Sequence, residues 1–403
     1  MNLIIPEMPF YADLARKVTA AKKEVFLYGL GKIGKQTFSA LSAAGIPVRA
    51  IFDENTHLQG AIWEGVPICD PDVYYGSTIP VVIGSFRFYR EILNKLRRFG
   101  FQNVLPYFFY MFGKTVDIET YLQTMQGYGM IERQMRQEDI DEKLLLLTSV
   151  DLVVTEKCSL RCKDCANLMQ YFQAPQHTSF EDCIHSFERL ADAVDLIQEV
   201  RVLGGEPFMN TDLARILDVL SGFKCYQFLI VYTNATITPS KALLRAMQNS
   251  HTIVFITDYE NPNQKCEKLV EILAELGIMY VYKHIIYWQD CGVIQHYNRT
   301  IGENKVIYRN CCMRDFLSLK DGKLYLCPYA GSLDSLSAAP PNRIECVDLL
   351  DFQVSITNIR EKIFRLTALP MQEACNYCNG RPSEGFNIAA ALQTDAPLYY
   401  KQY

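Results

Sequence analysis

The sequence predicts an α/β protein in three parts. A parallel α/β unit covers residues 1–110, a partial barrel of the (β/α)6 type covers 148–300, and a small α+β module covers 301–403, with a helical linker over 111–147. Three observations predict this. Short apolar runs alternate with amphipathic stretches at helical spacing before residue 110, and the alternation restarts at 148. A polar, helix-forming stretch separates the two. After about residue 300 the alternation gives way to a hairpin signal and paired cysteines.

In the first part, "EVFLYGLGKIGKQTFSALSAAG" reads as strand, glycine turn and helix, and "PVRAIFDEN" and "IPVVIGS" as further strands. "RFYREILNKLRRFG" is an amphipathic helix that Gly100 should stop. The stretch "IERQMRQEDIDEKLLLL" is polar and helical. From 148 the order is "SVDLVV" strand, cysteine loop, "FEDCIHSFERLADAVDLI" helix, "EVRVLGG" strand, "DLARILDVLSGF" helix, "YQFLIVYT" strand, "SKALLRAMQ" helix, "TIVFIT" strand, "QKCEKLVEILAELG" helix and "IMYVYKHI" strand. Repeated units of this kind curl into a barrel whose post-strand loops share one face. Cys158, Gly204, Asn234, Asp258 and Cys291 all follow strands and are expected on that face. "FLSLKDGKLYLCPY" then reads as a hairpin turning at Asp321-Gly322.

Composition excludes several function classes. With 403 residues, 49% hydrophobic and 21% charged, the chain reads as globular and multi-domain. A formal net charge of −5 offers no electrostatic case for nucleic acid or an anionic membrane. No apolar run approaches the roughly 18 to 20 residues of a membrane span, and no secretory leader is legible, so a cytoplasmic location is expected. Disulfides are rare there, and the 14 cysteines need another explanation. The six histidines stand apart from the cysteine clusters, which disfavours a mixed zinc finger.

"CSLRCKDC" places Cys158, Cys162 and Cys165 at a C-x3-C-x2-C spacing. Thiolates are soft ligands for iron–sulfur clusters or zinc. Three of them on a cubane 4Fe–4S cluster leave one iron open to a ligand. The alternative is a zinc ribbon with its fourth ligand elsewhere, although zinc knuckles usually pair C-x2-C units. "VLGGEPFMN" ends the second barrel strand with Gly204, Gly205 and Glu206. Glycine lets backbone approach a ligand closely, and a carboxylate there can accept from an ammonium group. "YTNA" follows the third strand.

These residues resemble the radical S-adenosylmethionine (radical SAM) family over about residues 148–300. The resemblance implies a 4Fe–4S cluster on Cys158, Cys162 and Cys165 whose open iron chelates SAM. It also implies reductive cleavage to a 5′-deoxyadenosyl radical, hydrogen abstraction from a substrate, and a flavodoxin- or ferredoxin-type reductant. Gly204, Gly205 and Glu206 match the family's GGE motif. Asn234 lies in a segment similar to its T-N-G, departing at Ala235. Asp164 stands where the family often has an aromatic residue.

Cys312 is followed by nine residues, Gly322, four residues and Cys327, and the tail adds Cys375 and Cys378. This resembles the SPASM/twitch auxiliary-cluster module, in the shorter form with one auxiliary 4Fe–4S cluster. A fully ligated cluster suits electron transfer. Cys311 is adjacent and could replace Cys312, and a four-cysteine zinc site is the alternative.

"GLGKIG", with Gly29, Gly31 and Gly34, opens a helix after a strand, and Asp53 follows at the spacing of a ribose-binding acid. This reads either as a nucleotide or nucleotide-sugar site or as a turn kept for packing. The segment resembles Rossmann-like domains found beside sugar-modifying enzymes, which implies a small, sugar-like substrate. Two reactions are open. Dehydrogenation passes an electron to the auxiliary cluster, with Asp258 as a base or substrate contact, although such an Asp is more often a loop cap. Epimerisation needs a hydrogen donor, for which Cys291 is the candidate against a packed role. Cys183, Cys225 and Cys266 read as core, and Cys69 and Cys346 take no role. A peptide-modifying enzyme and a non-catalytic iron–sulfur or zinc scaffold are the alternatives.

Overall fold

Two sheets organise the chain, one in each of two units that divide at residues 143 and 144. The computed structural model describes residues 3–136, 144–290, 294–314, 316–381 and 386–403. Among these, no helix is long and apolar enough to cross a membrane.

The first unit holds a six-stranded sheet in the order Ile62–Trp63, Val66–Cys69, Val48–Phe52, Val25–Tyr28, Val81–Ile83, Val104–Pro106. All neighbours are parallel except the first pair. Strand Val25–Tyr28 is buried along its whole length, which is why it reads as a continuous apolar run rather than an alternating one. Phe26, Phe52, Tyr74 and Phe101 stack beneath it, with ring centroids 4.7 to 6.1 Å apart. Helix Tyr89–Arg98 stops at Phe99, and Gly100 follows at φ 82, as its position demands.

Residues 111–136 of the stretch expected as a linker are built into this unit, residues 137–143 lie outside the described residues, and 144–147 begin the second unit. Thr115–Val116 pairs antiparallel with Leu3–Ile4, and helix Ile118–Arg136 places Tyr128 and Ile131 in the same core as Phe26. Its polar residues hid the narrow apolar stripe that docks it.

The second unit carries an eight-stranded sheet. Five parallel strands, Leu146–Thr155, Leu196–Gly204, Tyr226–Thr233, Ile253–Asp258 and Tyr280–His284, lie side by side in sequence order. Helices Phe180–Ala193, Leu213–Leu220, Lys241–Asn249 and Cys266–Glu275 connect them. Val150, Leu152 and Val154 pack on Phe187 and Leu190 of the first of these helices. The pleat sends Asp151 to the other face. There Asp151 pairs with Arg201 at 2.5 Å, and the guanidinium lies over the rings of Tyr232 and Phe316.

The expected C-terminal module is continuous with this sheet. Strand Phe316–Lys320 runs parallel to Leu146–Thr155 on its free side. Lys323–Tyr325 and Cys346–Asp348 then extend the sheet antiparallel. The hairpin turns at Asp321 (φ 49) and Gly322 (φ 78), the left-handed pair of a two-residue hairpin. A Cβ at Gly322 would also meet Leu350 Cδ1 at 2.3 Å.

Candidate functional site

The cysteine loop leaves the sheet at Thr155 and is held by the end of the neighbouring strand. Gly205 N donates to Thr155 O and Glu206 N to Lys157 O, each at 2.8 Å. A Cβ on Gly204 would sit 2.1 Å from Thr155 O, and one on Gly205 would sit 2.2 Å from Lys157 O and 2.9 Å from Cys158 Cβ. The paired glycines were expected to admit a ligand. What they first admit is the backbone of the cysteine loop itself.

Cys162 packs with Leu160 and Ala391 in a buried patch that Cys158, Cys165, Tyr259 and Trp288 border. Burial pushes the Cys162 thiol up to about 11, and nearby Cys165 adds to this. Burial also raises Cys158, with Cys165, Glu206 and Cys162 contributing, and it raises Cys165. The three cysteines thus lie around one buried patch on one short loop. Among the described residues, no three His, Cys, Asp or Glu side chains stand in a metal-holding arrangement. The fit of an iron–sulfur cluster rests on donor chemistry: three soft thiols on one loop, whose protons binding must displace. Two sulfurs already accept from side-chain amides, Cys162 Sγ from Gln393 Nε2 at 3.2 Å and Cys158 Sγ from Asn234 Nδ2 at 3.7 Å.

Glu206 is fully buried. Its Oε1 accepts from Phe208 N at 3.1 Å and Thr233 Oγ1 at 2.8 Å, and its Oε2 from Asn234 N at 2.8 Å. Burial pushes its pKa up to about 7 against these bonds. Three of a carboxylate's roughly four acceptor positions are thus taken by the chain. Asn234 turns its Oδ1 to Thr236, and Ala235 adopts φ 55, the left-handed region that favours glycine. The segment keeps the backbone shape of a T-N-G turn without its glycine.

Asp258 accepts from Tyr282 Oη on one oxygen and from Glu260 N, at 2.8 Å, on the other. The Glu260 bond is local, the loop-cap arrangement, and the Tyr282 bond comes from the neighbouring strand Tyr280–His284. Cys291 lies outside the described residues. Two aromatic residues that the sequence did not flag border the loop: Tyr259, one residue past the fourth strand, and Trp288, whose rings meet edge to face at 5.3 Å. Tyr259's place directly after a barrel strand was the available signal.

The sequence also did not flag a strap over the loop. Lys163 N donates to Leu392 O at 2.7 Å, Thr394 N to Arg161 O at 2.8 Å, and Arg161 N to Gln393 Oε1 at 2.7 Å. Residues 391–395 carry no periodic signal, so only the folded chain reveals them.

The C-terminal cysteines are the second candidate set, with Cys312 the expected first member and Cys311 its alternative. Cys312 is exposed, and its thiol donates to Gln289 Oε1 at 3.0 Å. Burial pushes Cys327 up to about 11 and Cys378 to about 12 and raises Cys375, and in each case Cys311 adds to the rise. Gln372 Nε2 donates to Cys327 Sγ at 3.1 Å, and Gly380 N to Cys378 Sγ at 3.3 Å. Arg299 fastens the Cys375–Cys378 turn through both of those carbonyls, at 2.8 and 2.6 Å. Arg381, 8% exposed, is a cation felt at Cys165 of the first set and at Cys327 and Cys378 of the second. A polar pocket of about 460 Å³ opens beside Glu156, His177, Asp321, Lys323 and Asp334, and its lining includes none of these cysteines.

The glycine turn of the first unit is explained from within. Leu30 N donates to Asp53 Oδ2 at 2.7 Å and Asn55 N to Asp53 Oδ1 at 2.9 Å, so both oxygens expected at a ribose hold the chain's own turns. Gly29 sits at φ 91, and a Cβ on Gly34 would lie 1.9 Å from Gly29 O. Gly31 has open space around it. The packing reading accounts for Gly29, Gly34 and Asp53, and a nucleotide is unsupported.

Residues 152–285 match the Radical SAM superfamily. Three solved structures are similar. BtrN in complex with AdoMet and 2-DOIA shares 14% identity at a TM-score of 0.41, covering 61% of this chain and 100% of its own. Native anSMEcpe with bound AdoMet and Cp18Cys peptide shares 11% at 0.37, covering 59% and 89%. Streptococcus suis SuiB bound to S-adenosylmethionine shares 16% at 0.29, covering 49% and 45%.

Proposed function

We propose, on the premise that residues 152–285 are a radical SAM domain, that this chain is an enzyme that oxidises a small, sugar-like alcohol. What supports the oxidation is a second group of cysteines, Cys327, Cys375 and Cys378 with Cys311 or Cys312, outside the cysteine loop, of which Cys327 and Cys378 border one buried cluster around Tyr325, Tyr329 and Tyr377. When bound, a three-cysteine 4Fe–4S cluster with SAM supplies a 5′-deoxyadenosyl radical that removes a hydrogen atom, and a four-cysteine cluster supplies the acceptor for the electron left behind.

The chain's own residues set the stage. Cys158, Cys162 and Cys165 are the ligands of the first cluster, held at the sheet end by Gly204 and Gly205. Glu206 has one acceptor position left for the SAM ammonium group. Asn234 steadies Cys158 and Ser159 through its amide. The polar inner face, with Asp151 and Arg201, suits a hydroxyl-bearing substrate better than an apolar one. The net change at the substrate is alcohol to ketone: a hydrogen atom leaves carbon, a proton leaves oxygen, and one electron goes to the second set. A low-potential protein reductant of the flavodoxin or ferredoxin kind feeds the first.

The test is iron and sulfide per chain after anaerobic reconstitution, for the wild type and for a variant with Cys158, Cys162 and Cys165 changed to alanine. About eight iron falling to about four supports both sets. About four falling to none removes the internal acceptor, and redox-neutral epimerisation replaces oxidation. Formation of 5′-deoxyadenosine from SAM under dithionite checks the premise.

A further inference from the structure

We propose that Gln393 and Gln372 are potential-setting residues, each donating a side-chain amide hydrogen to a ligand sulfur of a different cluster. The inference rests on the two-cluster reading above. Gln393 Nε2 lies 3.2 Å from Cys162 Sγ, and Gln372 Nε2 lies 3.1 Å from Cys327 Sγ.

The orientation of Gln393 follows from its partners. Its Oε1 accepts from Arg161 N, a group that can only donate. Its Nε2 also donates to Ala391 O at 2.7 Å, a group that can only accept. Flipping the amide would face donor to donor and acceptor to acceptor, so nitrogen stays toward the sulfur. The backbone bonds of residues 392 and 394 to residues 163 and 161 fix the strap that carries this side chain. Gln372 is 2% exposed, and its backbone carbonyl accepts from Cys375 N at 3.0 Å, which fixes the backbone at this residue, while its side-chain Oε1 is buried with no partner among the described residues. A metal-bound sulfur has no proton to give, so only the nitrogen of Gln372 can face it favourably.

One-electron reduction makes the ligand sulfurs more electron-rich. A hydrogen bond to such a sulfur stabilises the reduced cluster more than the oxidised one and raises its potential. Each glutamine therefore raises the potential of its own cluster, independently of the other.

The experiment is a mediator titration, without SAM, of chains reconstituted with iron and sulfide and followed by the electron paramagnetic resonance of the reduced clusters. Gln393→Leu is read in a background where Cys327, Cys375 and Cys378 are alanine, and Gln372→Leu in one where Cys158, Cys162 and Cys165 are alanine. Each substitution should weaken reduction of the neighbouring cluster about tenfold, a fall of about 59 mV for one electron. Each should leave the other cluster unmoved when introduced into the full chain. Gln393→Glu keeps the acceptor for Arg161 N, loses the donor, and should lower the first potential as well. Unchanged potentials in iron-loaded variants overturn the inference, as does an equal shift of both clusters by one substitution. Failure of both Gln393 variants to take up iron in the first set also overturns it, because the residue then assembles the site rather than tuning it. A wild type that takes up no iron fails earlier, at the cluster reading, and the inference falls with it.

Discussion

Replacing Gly205 with alanine probes whether the glycine pair exists to seat the cysteine loop. The new Cβ would lie 2.2 Å from Lys157 O, 2.5 Å from Lys157 C and 2.9 Å from Cys158 Cβ. Two of these atoms are backbone, so no flexible side-chain end can swing away. Ordinary contact begins at 3.4 Å, so the carbonyl must retreat by 3.4 − 2.2 = 1.2 Å. That movement breaks the Glu206 N to Lys157 O bond, a loss of about 1 kcal/mol. The overpacking itself costs about 1–3 kcal/mol. Together the second unit should lose about 2–4 kcal/mol, and Cys158 should leave its place beside Cys162 and Cys165. Gly205 has no left-handed φ, so the effect is steric and not conformational. The assay is denaturant unfolding of the second unit's transition, with iron per chain after reconstitution. The expected result is a lower midpoint and about four iron, those of the C-terminal set. Gly31→Ala is the control: nothing lies within 4 Å of its added Cβ, and its stability should change by less than about 0.5 kcal/mol. Wild-type stability with about eight iron in Gly205→Ala would refute the reasoning.

Three further outcomes are expected. Ala235→Gly relieves a left-handed alanine and should raise the stability of the second unit by about 1 kcal/mol in denaturant unfolding. Glu206 has its pKa raised by burial to about 7 from an ordinary 4.5, so its contribution to stability is complete below about pH 4.5 and is lost as pH rises through about 7. The loss is about 3 kcal/mol, and Glu206→Gln should flatten it in unfolding curves taken across that window, although the amide also forfeits the bond from Asn234 N. Cys311→Ala should remove about four iron from the reconstituted chain while Cys312→Ala leaves about eight. The reverse pattern would make Cys312 the ligand.

What the sequence disclosed was what depends on neighbours along the chain. The C-x3-C-x2-C loop, the GGE strand end, the Asp321-Gly322 turn and the stop at Gly100 are all set within a few residues, and each was legible. Features set by distant pairing were not. Nothing local shows that Phe316–Lys320 lies beside Leu146–Thr155, because an apolar strand does not encode its partner. Nothing local shows that Arg161 will meet Gln393. The count to Gly322 favours Cys312 over the adjacent Cys311, and which of the two serves depends on how they point after helix Ile301–Asn310. Asp53 was misleading for a physical reason: an acid placed to hold a ribose and an acid placed to hold its own glycine turn occupy the same position in sequence. Helix Ile118–Arg136 reads as a linker because its polar residues outnumber those that dock it.

The strap also imposes an order of events on the making of the site. Arg161 and its partner Gln393 are 232 residues apart in the chain. Synthesis proceeds from the N-terminus at about 5–20 residues per second, so the cysteine loop leaves the ribosome well before its cover is made. During that interval of about ten seconds or more, the three thiols of the nascent loop lack the cover that later lies against them. Iron delivered then meets the loop before residues 391–395 are bonded to it, and iron delivered afterwards meets it with those bonds in place.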